Sequence, residues 1–241
     1  MAPHKRKLSS SCVHIWNVST LISEKQELAY LKLLSEDEKA KASSFRFTKD
    51  RRIYITSRGV LRSLSGQYLK QLPEDIVFDY EVHGKPQFRV DTMVRFNVSH
   101  SENYVVIGFV HESEIGIDVE YLKKNFDVLE LGQNFFSNDE IDTLEAMAAK
   151  DQYDGFYRCW TRKEAFIKAK GMGLSFPLDA FSVSLDNNTT ALLEKTAWNP
   201  IESREWDMFS FSPGKGYIAA VAIKGNIKSV SIANWEHNSP N

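Results

Sequence analysis

Four short stretches of this chain carry side chains whose types and spacing could do chemistry. The first is Ile115-Gly116-Ile117-Asp118-Val119-Glu120. Its alternation reads as a strand, in which every second residue shares a face. Ile115, Ile117 and Val119 then face a core. Asp118 and Glu120 stand together on the other face, roughly 6.5–7 Å apart along the strand. Two carboxylates so placed repel unless a cation or hydrogen-bond donors lie between them. Gly116, on their face, leaves room for a ligand. The same pattern also describes an ordinary acidic strand face in solvent.

The second stretch runs from Trp160 to Lys168 and reads Trp-Thr-Arg-Lys-Glu-Ala-Phe-Ile-Lys. Trp160, Glu164 and Lys168 recur at helical spacing and share one face. Glu164 four residues before Lys168 is equally the order of a plain surface pair, worth ~0.2–0.5 kcal/mol. The third stretch is Asn97-Val98-Ser99-His100-Ser101. An imidazolium flanked by hydroxyls can donate to a phosphate, although turn-forming residues alone give the same string. The fourth, Gly84-Lys85-Pro86, puts a basic side chain on a turn. The sequence has no Gly-x-x-x-x-Gly-Lys-Ser/Thr loop, no Gly-x-Gly-x-x-Gly opening a helix and no His-Glu-x-x-His pair. It also lacks the Gly-x-Ser-x-Gly elbow of a hydrolase.

These side chains need elements to position them. A strand is expected at Val13–Val18 and a helix at Glu24–Leu34. Ser35 and Glu38 form a capping-box pattern that starts a short helix. Asp50–Leu69 reads as a long amphipathic helix, with Ile53, Val60, Leu61, Leu64 and Tyr68 inward and Arg51, Arg52, Arg58 and Arg62 on its other sides. Strands follow at Ile76–Tyr80, Arg95–Val98 and Tyr104–Val110, the last two joined by a polar loop at Ser99–Asn103, and then at Glu114–Glu120. The second half repeats the order. Helices at Asp139–Ala149 and Asp151–Lys170, the latter stopped by Gly171 and Gly173, precede strands at Phe181–Leu185, Trp206–Ser212, Tyr217–Ile223 and Val230–Trp235. The fold class is therefore α+β. Two similar halves with a pseudo-twofold relation, residues 1–113 and 114–241, each pack a long helix on a small antiparallel sheet, with a ligand cleft at their interface.

Composition bounds the function. The 241 residues are 42% hydrophobic and 26% charged, with a formal net charge of -2. That balance gives no field for nucleic acid, so an anionic ligand must be held by local donors. No run is long enough to span a membrane. The basic start, including His4–Lys7, lacks the apolar stretch of a signal peptide. Cys12 and Cys159 have neither metal nor disulfide spacing and fit free thiols in a reducing cytoplasm.

In combination and order, Gly84-Lys85-Pro86, Asn97-Val98-Ser99-His100, Ile115–Glu120 and Trp160–Lys168 resemble the motifs of the Sfp-type 4′-phosphopantetheinyl transferases. The resemblance covers the chain from about Leu33 to Ile223. It implies transfer of the phosphopantetheine arm of coenzyme A to a serine of an apo acyl or peptidyl carrier protein, in fatty-acid, polyketide or nonribosomal peptide synthesis. It further implies that Asp118, Glu120 and Glu164 surround Mg2+, with water able to replace Glu120. Ser99 and His100 would hold the coenzyme's 3′-phosphate, with Asn97 in the same motif. Lys85, between Gly84 and Pro86, would lie beside the nucleotide. Lys168 would stabilise the phosphates, the base would be Glu164, directly or through a water, or else a metal-bound hydroxide, and Lys163 would brace the site. Lys41 is the match to a coenzyme-contacting lysine, although its segment, Glu36-Asp37-Glu38-Lys39-Ala40-Lys41, departs from the family by its acidity. Leu122–Asp151, with Phe126, Phe135, Phe136, Leu144 and Met147, is either a carrier-docking surface or the core face of two helices. The long form, with both halves in one chain, implies a monomer. Two rivals stand beside this reading: a non-catalytic coenzyme A- or carrier-binding module of the same fold, and a magnesium-dependent phosphohydrolase.

Overall fold

Strand β1 (Cys12–Ser19) begins the computed structural model, which describes residues 8–173 and 176–237. The basic lead at His4–Lys7 lies outside the described residues. Helices α1 (Glu24–Leu33), α2 (Glu36–Ser44) and α3 (Thr48–Leu69) follow. A small hairpin of β2 (Phe78–Tyr80) and β3 (Pro86–Phe88) leads to a longer one of β4 (Val94–Ser101) and β5 (Tyr104–His111). Strand β6 (Ile115–Tyr121) precedes α4 (Val128–Gly132), α5 (Asn138–Ala146) and α6 (Ala149–Lys170). The chain continues through β7 (Phe181–Val183), β8 (Thr190–Ala191), β9 (Leu193–Thr196), β10 (Trp206–Phe211), β11 (Tyr217–Lys224) and β12 (Ser229–Asn234).

The strands form two four-stranded sheets, in the orders β12–β1–β5–β4 and β6–β11–β10–β8. All their pairs are antiparallel except β1 with β12. Alternation along each strand explains the layering. Trp16, Val18, Val105, Ile107 and Phe109 pack with Ile55, Val60, Leu61 and Leu64 of α3. On the other face of the same sheet, Val13, Ile15, Val106 and Val110 meet Ile115, Ile117, Val119 and Val221 of the second sheet. Ala220 and Ala222, on the far face of that sheet, pack with Phe166 and Ile167 of α6. The order is thus helix, sheet, sheet, helix, and the expected α+β architecture of two similar halves is what the structure shows.

The two halves repeat a buried device, one member of which, Arg62, the sequence reading placed on a polar side of its helix. Glu38 caps α2 through the Ser35 amide at 3.1 Å and, fully buried, takes Arg62 Nε of α3 at 2.6 Å. Arg62 also donates to Pro73 O and Ile76 O, around the 3-10 turn at Pro73–Asp75. In the second half Glu140 caps α5 through the Ser137 amide at 2.8 Å and pairs with buried Lys163 of α6 at 2.7 Å. Lys163 in turn donates to Leu178 O and Phe181 O, both at 2.6 Å, around the turn at Leu178–Ala180. Arg62 is therefore not on a polar side of α3. A guanidinium can be buried there because Glu38 neutralises it and carbonyls take its remaining donors.

Two further expectations change. The loop read at Ser99–Asn103 is strand as far as Ser101, and only Glu102 and Asn103 turn the chain. Glu102 adopts a left-handed φ of 49°, as a two-residue hairpin turn demands. Of the two readings of Leu122–Asp151, the core face accounts for Phe136 and Leu144, which are fully buried, with Phe126, Phe135 and Met147 packed against them.

Candidate active site

Helix α6 lies directly on strand β6, and Gly116 is the reason it can. A β-carbon on Gly116 would stand 2.0 Å from Ala165 O and 2.3 Å from Ala169 N. Gly116 therefore makes room for the helix backbone, not for a ligand as its position on the carboxylate face suggested. The close crossing brings one face of α6 over one face of β6. Glu164 and Lys168 come together there with Asp118 and Glu120, lining a cleft of about 620 Å³ with Ser99 and His100. Trp160, one turn before Glu164, forms part of its wall.

Lys168 does not make the surface pair with Glu164 that its spacing allows. Its Nζ lies 2.6 Å from Asp118 Oδ1 and 3.1 Å from Ser99 Oγ, and Ser99 Oγ itself donates to Asp118 Oδ1 at 2.9 Å. Asp118 and Glu164 are 3% and 7% exposed, yet Asp118 Oδ2 and Glu164 Oε1 have no hydrogen-bond partner among the described residues. Burial pushes the Glu164 carboxyl up to about 7; Lys168 opposes the shift and the charges of Asp118 and Glu120 add to it. The Glu120 carboxyl is raised by burial and then by Asp118, against a hydrogen bond from Ser101. His100, on the opposite face of β4, is exposed at the mouth of the cleft. Its pKa is lowered all the same, first by desolvation from the surrounding walls and then by the Lys168 charge.

This donor set fits a hard divalent cation. Its carboxylates converge on one cleft, and two buried oxygens await a partner. Among the described residues no three acidic, imidazole or thiol groups close around an ion by themselves. Mg2+ usually keeps several waters and takes phosphate oxygens alongside one or two carboxylates, so a site shared with a phosphate ligand need not be closed by protein groups alone.

The other residues singled out in the sequence have different surroundings. Asn97 Oδ1 accepts from the Ile117 amide at 2.9 Å, joining β4 to β6. Lys85 Nζ donates to Lys168 O at 2.8 Å and to Ile115 O and Ala169 O at 3.2 Å, capping the end of α6. Burial lowers its pKa, while Glu81 and Glu114 oppose. Gly84, Lys85 and Pro86 line a smaller cavity of about 210 Å³, together with Asn97, that shares Lys168 with the cleft. Another cavity, of about 490 Å³, lies around Lys85 and Pro86 but contains none of the cleft carboxylates. Lys41 is exposed, its Nζ 5.7 Å from the centre of the Phe45 ring, and does not line the cleft. Sequence reasoning overlooked Arg162, which holds Ser184 O, Asp186 O and Asn188 O beneath α6. Ser101, read in the sequence as a hydroxyl beside His100 for a phosphate, instead donates to Glu120 Oε2 at 3.0 Å. The available signal was the period-two polar series Asn97, Ser99, Ser101, which marks one strand face.

Comparison with known proteins decides the family. A family model described as the 4′-phosphopantetheinyl transferase superfamily matches residues 114–222, and one described as 4′-phosphopantetheinyl transferase, N-terminal, matches residues 21–111. The 4′-phosphopantetheinyl transferase HetI of Nostoc sp. is 33% identical over 92% of this chain and 92% of its own. The chain belongs to the 4′-phosphopantetheinyl transferase superfamily. Within it the chain is of Sfp type: the 4′-phosphopantetheinyl transferase Sfp of Bacillus subtilis is 32% identical over 72% of this chain and 76% of its own. More distantly, L-aminoadipate-semialdehyde dehydrogenase-phosphopantetheinyl transferase of Rattus norvegicus is 27% identical over 85% of this chain and 71% of its own. The two family models meet between residues 111 and 114, where β5 hands over to β6, the strand of this transferase that carries Asp118 and Glu120.

Proposed function

We propose that this chain transfers the 4′-phosphopantetheine arm of coenzyme A to a serine hydroxyl of an apo acyl or peptidyl carrier protein. The serine oxygen forms a bond to the β-phosphorus, the bond from that phosphorus to the bridging oxygen breaks, and adenosine 3′,5′-bisphosphate leaves. The observation that carries this reading is the pair of buried, unpartnered oxygens on Asp118 and Glu164, set beside Lys168 and His100 in one cleft. Family membership supplies the substrate class.

Asp118, Glu120 and Glu164 would hold Mg2+, which when bound neutralises charge on the pyrophosphate. The remaining work belongs to the chain's own side chains. Lys168, held by Asp118 and Ser99, directs an ammonium at the phosphates. Glu164, on the carboxylate face of the cleft, would take the serine proton directly or through a water. His100 at the cleft mouth would donate to the 3′-phosphate once that dianion raises its pKa. Ser99 contributes by fixing Lys168 and Asp118, and Asn97 by tying β4 to β6 beneath them. Gly84, Lys85 and Pro86 would lie along the nucleotide, and Lys41 remains our assignment for a coenzyme contact at the end of α2.

All these groups come from one chain, which supports action as a monomer, and its two free thiols support a reducing cytoplasmic setting. No helix among the described residues is long and apolar enough to cross a membrane.

The test is incubation with coenzyme A, Mg2+ and a panel of apo carriers, read by intact mass. One phosphopantetheine per carrier, only with divalent metal, is expected. Consumption of coenzyme A with every carrier left apo would support a hydrolase instead. Binding without reaction would support a non-catalytic module.

A further inference from the structure

Strands β4 and β6 are edges of different sheets, so no backbone ladder joins them. Side chains do so instead, one from every second residue of β4. Asn97 takes the Ile117 amide, Ser99 donates to Asp118, and Ser101 ends the series at Glu120. Ser101 uses both functions of its hydroxyl. Oγ accepts from the Tyr121 amide at 3.1 Å and donates to Glu120 Oε2 at 3.0 Å. It therefore grips the backbone just past Glu120 as well as the carboxylate itself. Among the described residues, Glu120 takes its side-chain hydrogen bond from Ser101.

The anchor for this hydroxyl is itself held from several directions. The turn after Ser101 is pinned at Glu102 by Lys49 and by Lys123, the latter at 3.0 Å. Asn103 O accepts from the Thr20 amide at 2.9 Å, and the Asn103 amide donates to Tyr217 Oη at 3.2 Å. Lys49 comes from α3, Thr20 from the end of β1, and Tyr217 from β11 of the other sheet. A glutamate has three rotatable side-chain bonds, and ordering it only when an ion arrives costs conformational entropy. Here that ordering is built into the hairpin.

We propose that Ser101 is a positioning residue that fixes the rotamer in which Glu120 lines the cleft, and so sets the affinity of the site for a divalent cation. The proposal rests on the metal-dependent function proposed above. Wild type, Ser101→Ala, Ser101→Cys and Ser101→Thr separate it from a purely structural role. Cysteine keeps the size with a weak donor, whereas threonine keeps the hydroxyl.

Three quantities are measured: the Mg2+ concentration for half-maximal carrier loading, the loading rate at saturating Mg2+, and Mn2+ binding with coenzyme A by electron paramagnetic resonance. Removing a partner that orients a metal ligand typically weakens metal binding by about tenfold or more. Ser101→Ala and Ser101→Cys should therefore need about tenfold more Mg2+ and bind Mn2+ correspondingly less well, with the saturating rate kept; Ser101→Thr should recover both. If alanine lowers the melting temperature, the cysteine and threonine pair carries the comparison. Unchanged metal dependence in the alanine and cysteine variants overturns the proposal. So does a lower saturating rate with unaltered Mn2+ binding. Wild-type loading with no metal requirement overturns the proposed mechanism and this inference together, whereas metal-dependent wild type with indifferent Ser101 variants overturns this inference alone.

Discussion

Glu164 is 7% exposed in the folded chain, and one of its carboxyl oxygens has no hydrogen-bond partner among the described residues. Its helical spacing from Trp160 and Lys168 was visible in the sequence, and so was the face they share. Its buried, unpartnered oxygen was not, because that depends on Lys168 turning across to Asp118, 50 residues away in sequence. A carboxyl raised from 4.5 to about 7 has a consequence for the free protein. Between those values the folded chain keeps a proton that the unfolded chain has lost. Stability from this group is thus complete below pH 4.5 and falls as pH rises through about 7. At about 1.4 kcal/mol per pKa unit, the loss is of the order of 3 kcal/mol. Glu164→Gln cannot ionise and should escape it. Thermal melts of both proteins in chelator, from pH 5 to 8, should show the variant gaining on wild type as pH rises. Parallel curves would mean that Glu164 is not held in this raised state.

Among the elements, β6 and α6 were legible as strand and helix, and their crossing was not. Ile115, Ile117 and Val119 mark the buried face by alternation, and Gly171 ends α6 with a left-handed φ of 68°. Gly116 looked like a gap for a ligand because a sequence shows an absent side chain but not what fills the space. The hairpin β4–β5 misled for a related reason. Ser99, His100 and Ser101 read as loop because polar residues crowd there, yet Ser99 and Ser101 serve a second sheet edge while His100 faces outward. If Gly116 sets the approach of α6 to β6, Gly116→Ala must drive the helix backbone away from the strand. Overpacking typically costs about 1–3 kcal/mol, and here the obstacle is backbone, which cannot rotate aside. Urea unfolding should show a loss of about 3 kcal/mol or more. A loss below about 0.5 kcal/mol, the range of a neutral surface change, would show that the two elements are not so tightly apposed.

On the scale of the molecule, the duplication was legible in element order and faint in the residues. Its clearest trace is Ser35, Glu38 and Arg62 repeated as Ser137, Glu140 and Lys163. The change from Arg to Lys hides the match, and burial of both bases is invisible until their carboxylates are found in space. We retain a division into 1–113 and 114–241 as a proposal for the two halves, but the structure makes them mutually dependent. Strand β12 comes from the second half and pairs with β1, from Cys12 with Ser229 to Asn17 with Asn234. Beyond it, Trp235 packs edge-on to Trp16 with ring centres 6.0 Å apart and donates to Tyr30 Oη at 2.8 Å. Val13, Ile15, Val106 and Val110 belong to a core whose other buried members lie in the second sheet, apart from Ile227 in the connection to β12. Exposing four such side chains, at about 1.5–3 kcal/mol each, rivals the whole 5–15 kcal/mol stability of an ordinary domain. Residues 1–113 produced alone should therefore show no cooperative melt by near-ultraviolet circular dichroism. Mixing them with residues 114–241 should restore one, because the partner fragment returns both β12 and the inter-sheet core. A cooperative melt of residues 1–113 alone, within a few degrees of the full chain, would instead make each half a unit stable by itself, with the cleft between them free to open as the halves move.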